Sequence, residues 1–337
     1  MNRDSTTYPF PETMKPSIKP SHAVLGRSFL LLQEASLLVA LSLGFTSATQ
    51  AEDIGRKFPS VEEAVASLRQ ATALADTNAL RAILGTAADD LQNPDRIQST
   101  NELRTFNSAL NRTNRLVRVS DSFVVLELGE DLWPFPVPIV KKDGSWFFDT
   151  EVGKEELLNR RIGNNELAAL PALRGYVEAQ REYSATDHDD DEVLEYAQRL
   201  VSSPGKHDGL YWPPNYAGDV SPLGPMVAYA QAEGYDPELR EEDEVERGPY
   251  QGYYFKILTR QGKHAPGGKY SYITNGNMIG GFALVAWPAE YGTSGVMTFI
   301  VNQQGRVFQK DLGSNTSKIA RKMSVYDPDP SWKISLE

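Results

Sequence analysis

Asp187, Asp189, Asp191 and Glu195 stand at positions one, three, five and nine of the segment Asp187-His188-Asp189-Asp190-Asp191-Glu192-Val193-Leu194-Glu195. Carboxylates at one, three and five of a tight loop can converge on one cation, as in Asp-x-Asp-x-Asp-Gly calcium loops. Calcium is therefore the cofactor this segment would take. Two residues depart from the template. Glu192 replaces the glycine that makes the sharp turn, and Gln198 at position twelve cannot supply a bidentate carboxylate. Turning alternate residues inward would leave His188 and Asp190 facing solvent. The competing reading is a solvated acidic loop capping a helix over Val193 to Val201, where the N-terminal dipole favours negative charge.

Aromatic residues form a second candidate set. Trp212, Tyr253, Trp287 and Tyr291, with Tyr211, Tyr250 and Tyr254, lie near Gly, Pro and Asn in the second half of the chain. Flat ring faces beside amides can stack on a glycan or grip a peptide of an envelope protein. Large aromatics are more often buried for packing, and that use is preferred here.

The remaining chemistry is sparse. Past residue 51 the histidines are His188, His207 and His264, with no two at zinc-ligand spacing on one helix and no His-Glu-x-x-His. Each reads as a loop residue. Gly292-Thr293-Ser294-Gly295 misses the Gly-x-Ser-x-Gly elbow of serine hydrolases and reads as a turn. Gly267-Gly268 and Gly280-Gly281 fit turns rather than a phosphate cradle. No catalytic residue is assigned. The absence of cysteine excludes disulfides and thiolate chemistry.

The elements that must carry these residues divide at about residue 150. Val61, Ala64, Val65, Leu68 and Ala71 recur at helical spacing behind a Ser60/Glu63 capping box. Asp76 or Thr77 caps a short helix that Gly85 ends, and a third helix is predicted over Asn101 to about Asn114. Phe123 to Leu128 and Phe135 to Lys141 read as strands. The second carries Pro134, Pro136 and Pro138 at or beside it and is placed at a sheet edge. Asp143-Gly144 marks a hairpin into Trp146-Phe147-Phe148. Helices before a small antiparallel sheet match the element order of cystatin-like and nuclear-transport-factor-like (NTF2-like) domains, an analogy that carries no function.

From 151 to 186 the pattern is almost continuously helical, with Gly163 and Pro171 marking expected breaks or kinks. A helix follows from Pro222 or Leu223 to Glu233. Asp236 to Glu246, with seven acidic residues and one arginine, reads as a solvated loop. Tyr253 to Thr259, Gly281 to Trp287, Val296 to Asn302 and Arg306 to Asp311 read as four strands, and Asn315 to Met323 as a terminal helix. One long helix on a four-strand antiparallel meander resembles a pilin head. The fold class is thus α+β in two domains, 52–150 and 151–337.

Residues 1–51 read as a signal peptide. Lys15, Lys19 and Arg27 precede the apolar run Leu37 to Phe45, and Thr49-Gln50-Ala51 places small side chains where signal peptidase requires them. Met14 is an alternative start. Glu34 interrupts the run, which disfavours a retained span of roughly 20 apolar residues. A periplasmic or secreted mature protein beginning near Glu52 is expected. The leader has four basic and three acidic residues, so removing its net +1 from −11 leaves about −12. That charge disfavours nucleic acid, whose binding depends on Lys and Arg.

Asp131-Leu132-Trp133-Pro134-Phe135-Pro136, Asn159-Arg160-Arg161-Ile162-Gly163 and Gly280-Gly281-Phe282-Ala283-Leu284-Val285-Ala286-Trp287-Pro288 occur together in this chain. So do Gly295-Val296-Met297-Thr298-Phe299-Ile300-Val301-Asn302 and Gln309-Lys310-Asp311-Leu312-Gly313. In these segments the chain resembles the bacterial exported-protein family known as domain of unknown function 2950, from about Phe58 to Trp332. The resemblance implies one family architecture and no activity. The expected function is a non-enzymatic binding or assembly factor of the envelope. The alternative is an envelope hydrolase using carboxylates or a dispersed Ser/His/Asp set.

Overall fold

Ser60 opens α1 (Val61–Ala73) by accepting the N–H of Glu63, and the apolar stripe Val61, Ala64, Val65, Leu68 and Ala71 is buried. Asp76 caps α2 (Thr77–Leu84), which ends at Gly85 with φ +77. A 3-10 turn over Thr86–Leu91 leads to α3 (Arg96–Arg112). This helix starts five residues before the expected Asn101, because the Asp95 carboxylate caps it at the N–H of Gln98. The description of this chain, a computed structural model, covers residues 54–214, 220–235 and 248–335. The leader, the start near Glu52 and the acidic run Asp236–Glu246 lie outside those residues.

The first sheet holds β1 (Asn114–Ser120), β2 (Phe123–Leu128), β3 (Trp133–Pro134), β4 (Ile139–Lys142) and β5 (Ser145–Phe148). Its order is β1-β2-β4-β5, antiparallel, with β3 on β2. The proline-rich strand is therefore not at an edge. The ladder of β4 begins only after Pro138, so its donors are intact and it pairs on both sides. Strand β1 was not legible, since its residues are half-buried or exposed and carry two arginines. Asp143 and Gly144 form the tight β4–β5 turn with φ +52 and +82.

Helix α4 (Thr150–Tyr183) runs without interruption for 34 residues. Of the breaks or kinks expected at Gly163 and Pro171, a break occurs at neither. A proline removes one helical N–H, and here Leu170, Ala172 and Leu173 on either side of it are buried and hold the helix together. Gly153 is needed for packing. A Cβ there would lie 2.7 Å from the Pro136 carbonyl oxygen and the Val137 Cα, whereas one at Gly163 meets nothing within 4 Å. Gly153→Ala is expected to cost about 1–3 kcal/mol by overpacking. Gly163→Ala is expected to be neutral or to stabilise by up to about 1 kcal/mol through helix propensity. Urea melts of the two variants check the contrast, and equal midpoints would refute it.

The chain continues through α5 (Gly224–Ala232), β6 (Tyr253–Leu258), β7 (Arg260–Gln261), β8 (Tyr270–Ser271), β9 (Ile273–Thr274) and β10 (Asn277–Met278). Then come β11 (Ala283–Pro288), β12 (Met297–Asn302), β13 (Phe308–Asp311), α6 (Thr316–Lys322), β14 (Val325–Tyr326) and β15 (Lys333–Ile334). The main sheet has the order β15-β13-β12-β11-β6, all antiparallel, so the expected four strands gain a short fifth at the edge. All six residues of β11 are buried, so both of its faces are covered; α4 and α6 both pack on this strand. The fold is α+β. Two apolar cores exist within the compact body of residues 51–337. Leu157 of α4 packs on the first core, and Ala169 onward belongs to the second.

The helix expected over Val193 to Val201 is absent; the segment is irregular, with a single β-bridge at Val201. Tyr196 N–H donates to Met278 O, and Val201 bridges Tyr211. No helix among the described residues is long and apolar enough to cross a membrane.

Candidate functional site

Tyr183, buried on the last turn of α4, is where the site begins. Its hydroxyl donates to the His207 carbonyl at 2.7 Å, and its own carbonyl lies 3.0 Å from His188 Nε2. An imidazole bonded to a terminal helix carbonyl satisfies one of the orphan acceptors at the helix end. His188 therefore turns inward and stacks on Tyr183 with ring centroids 4.1 Å apart, rather than facing solvent as the alternation predicts. Trp212 stacks on His207 at 4.3 Å and lies 5.5 Å from the His188 ring. The two histidines, 19 positions apart in sequence, end 6.4 Å apart at their centroids. Sequence spacing gave no sign of this pairing, because it is made by the return of the irregular segment along α4.

His188, His207 and Trp212, though not Tyr183, line a pocket of about 350 Å³ together with Glu182, Asp187 and Asp190. Among the described residues its lining includes no lysine or arginine.

The acidic loop makes one pocket wall. Asp187, Asp189 and Asp191 each offer a carboxylate oxygen within 4.8 Å of the others. Glu192, at the position where the loop template has glycine, nonetheless adopts φ +66, and Asp190 adopts +61. The turn is therefore made without glycine, at a backbone cost. The loop stabilises itself: Asp187 Oδ1 accepts the N–H groups of Asp189 and Asp190, and Oδ2 accepts that of Glu192. Asp191 accepts from Val193 N–H and from Asn277 Nδ2. Glu195 leaves the set, because its carboxylate accepts the Met278 N–H at 2.9 Å. The helix-cap alternative also fails, since no helix follows. The acidic loop instead trails the C-terminus of α4, where the helix dipole disfavours negative charge.

These contacts set the ionisation of the loop. The Glu192 N–H bond, with those of Asp189 and Asp190, holds the Asp187 carboxyl below its ordinary value. Desolvation, then the charges of Asp191 and Asp187, push Asp189 up. Asp187 is the depressed case, so its stabilising contribution is present above the usual carboxylate pKa near ~4 and is lost as pH falls through its lower folded value. Asp187→Ala is expected to release the amides of Asp189, Asp190 and Glu192 to fast exchange at neutral pH, with global stability nearly unchanged. Amide hydrogen exchange checks this, and unchanged protection would refute the loop architecture.

The aromatic set divides. Tyr253 and Trp287 are core residues at 1 % and 0 % exposure, so neither presents a ring face to a ligand. The Tyr253 hydroxyl donates to Met297 O. Tyr291 is half-buried, and its hydroxyl lies 3.2 Å from Asp311 Oδ2, away from the pocket lining. Trp212 alone of the four lines the pocket, though it too is a core residue, 5 % exposed and stacked on His207, so only its edge reaches the cavity.

The shared segments meet on α4. The Arg160 guanidinium lies 4.8 Å over the Trp133 ring, and its Nη1 donates to Pro134 O. Arg161 donates to the carbonyls of Leu91 and Gln92. Glu166 accepts the N–H groups of Val296 and Met297, both at 3.0 Å.

A family model described as "Protein of unknown function (DUF2950)" matches residues 55–334. No curated protein and no solved structure matches the chain.

Proposed function

We propose, for a chain that belongs to the DUF2950 family, a role as an exported, non-enzymatic binding protein of the envelope. The observation that carries the binding half of this reading is the pocket beside Trp212, where aromatic rings and carboxylates converge from α4, the acidic loop and the 207–212 segment. A concave site with ring walls and a few placed polar groups is the ordinary form of a small-ligand site. Export rests on the leader over residues 1–51. Calcium at Asp187, Asp189 and Asp191 belongs to the same reading, with three ligands instead of the four expected.

One observation favours the hydrolase alternative. His264 Nδ1 lies 3.1 Å from Asp327 Oδ1, the base-and-orienter half of a catalytic triad. The same oxygen accepts the His264 backbone N–H at 2.8 Å, which is also how a carboxylate pins a loop. The pinning role is preferred.

The test has two parts. N-terminal sequencing of the periplasmic protein should find a chain beginning near Glu52; a soluble protein with residues 1–51 intact would sink the export claim. The mature protein should then show saturable thermal shifts with small envelope-type ligands (peptidoglycan fragments, short peptides, amines or calcium). Trp212→Phe should weaken the shift for pocket ligands. A melt indifferent to every class, together with ester or glycoside turnover lost in His264→Ala, would favour the hydrolase.

A further inference from the structure

We propose that the pocket beside Trp212 takes an organic cation, a guanidinium or primary ammonium group carried on a short apolar stem. This rests on the binding reading above and names its ligand class.

Three features of the site argue for it. The first is the balance of charge. Glu182, Asp187 and Asp190 line the pocket, and no lysine or arginine is among its described lining residues. Asp187 accepts three backbone N–H groups, two on Oδ1 and one on Oδ2. Those bonds occupy the donors of the loop and leave each carboxylate oxygen with further lone pairs. Carboxylates therefore dominate the charged groups of the described lining.

The second feature is the helix end. The pocket lies at the C-terminus of α4, where the last carbonyls add partial negative charge. Carboxylates in this position are mutually unfavourable. One cation seated among them relieves both effects, so folding and binding are linked.

The third is shape. The half-buried rings of His188 and His207, the edge of the core residue Trp212, and Val220 and Pro222 place ring and aliphatic surface on one side of a mostly polar pocket. A bare divalent ion would leave such a wall unused. Guanidinium and ammonium groups on a methylene stem use both parts, the head against carboxylates and the stem against rings. A volume of about 350 Å³ is at the small end of ligand pockets and suits one side chain or a short amine rather than an oligosaccharide.

Two sources share this chemistry: a free amine and a basic side chain of another protein. Titrations on the mature full-length chain, in chelator to remove calcium, distinguish them. The probes are spermidine, N-acetyl-arginine methylamide, a tri-arginine peptide and N-acetyl-citrulline methylamide as the neutral isostere, read by calorimetry and tryptophan fluorescence. The arginine amide is expected to bind at least tenfold tighter than the citrulline amide. Glu182→Gln combined with Asp190→Asn is expected to weaken it at least tenfold with a melting temperature that does not fall, since both side chains are exposed and negative charge is unfavourable at this helix end. Comparable binding of spermidine and the arginine amide assigns a free amine; binding of the tri-arginine peptide alone assigns a protein side chain. Equal affinity for arginine and citrulline amides, or no loss in the double variant, overturns the cation class while leaving a binding protein. A response to calcium alone also overturns it. Silence towards every ligand class removes the binding reading itself.

Discussion

Gln180→Leu is expected to lower the unfolding free energy by about 2–4 kcal/mol. Gln180 is fully buried on α4. Its Oε1 accepts the Ala197 N–H at 2.9 Å, and its Nε2 donates to the Ala197 carbonyl at 2.8 Å. The side-chain amide thus pairs with one residue of the irregular 193–201 segment as a neighbouring strand would. Leucine has similar volume and no polar atoms, so it would strand a buried donor and a buried acceptor. Each such group costs about 1–3 kcal/mol, with some relief from local relaxation. The Tyr176 hydroxyl also loses its bond from Nε2 but keeps the Ala283 carbonyl as acceptor. Urea unfolding measures the loss. A change below about 0.5 kcal/mol, within the range of ordinary surface substitutions, would show that Gln180 is not the clamp. The loss should also reach the pocket, because the clamped segment leads back to the acidic loop.

Gln180 also shows why part of this fold was hidden in the sequence. Val193, Leu194, Ala197 and Val201 carry apolar spacing compatible with a helix, yet Leu194 is exposed and only Ala197 of them is fully buried. Distant partners, Gln180, Met278 and Tyr211, hold the segment, and local spacing holds no record of them. Features set by local chemistry were legible. The caps at Ser60 and Asp76 and the Asp143-Gly144 turn all depend on neighbours within a few residues. The acidic loop was legible as a cluster, and its three aspartates do converge. Its partners were not. His188 was assigned to solvent by alternation, but a helix carbonyl and the Tyr183 ring pull it inward. His207 reaches the same pocket from a loop with no periodic signal. Tyr253 and Trp287 lie in the core, Trp287 on a strand buried on both faces.

Asp95→Ala is expected to destabilise by about 3 kcal/mol and to uncouple the two cores. The Asp95 carboxylate is 1 % exposed, and its Oδ1 caps α3 at the Gln98 N–H. Its Oδ2 accepts the Gly252 N–H at 3.0 Å and the Tyr235 hydroxyl at 2.8 Å. Asn165 stands beside it, fully buried in α4. It accepts from Gln98 Nε2 and donates to the Ser294 carbonyl at 2.8 Å. The packing is close: a Cβ on Gly252, whose φ is +74, would lie 2.3 Å from Asn165 Nδ2. The seam thus ties α3, which packs on the first core, to loops that pack on the second, through polar contacts. A lost cap costs about 1 kcal/mol. Hydrogen bonds to a charged group contribute about 1.5–3 kcal/mol each, offset by relief from burying the charge. Because the buried residues of the two cores form separate clusters, loss of the seam should split one melt into two transitions. Asp95→Asn keeps one acceptor and should fall between wild type and alanine. Calorimetry on the three proteins gives the answer, and fragments 52–150 and 164–337 should then each melt cooperatively. If Asp95→Ala loses stability in a single sharp transition and neither fragment folds, the two cores form one cooperative unit and the division at α4 is only geometric.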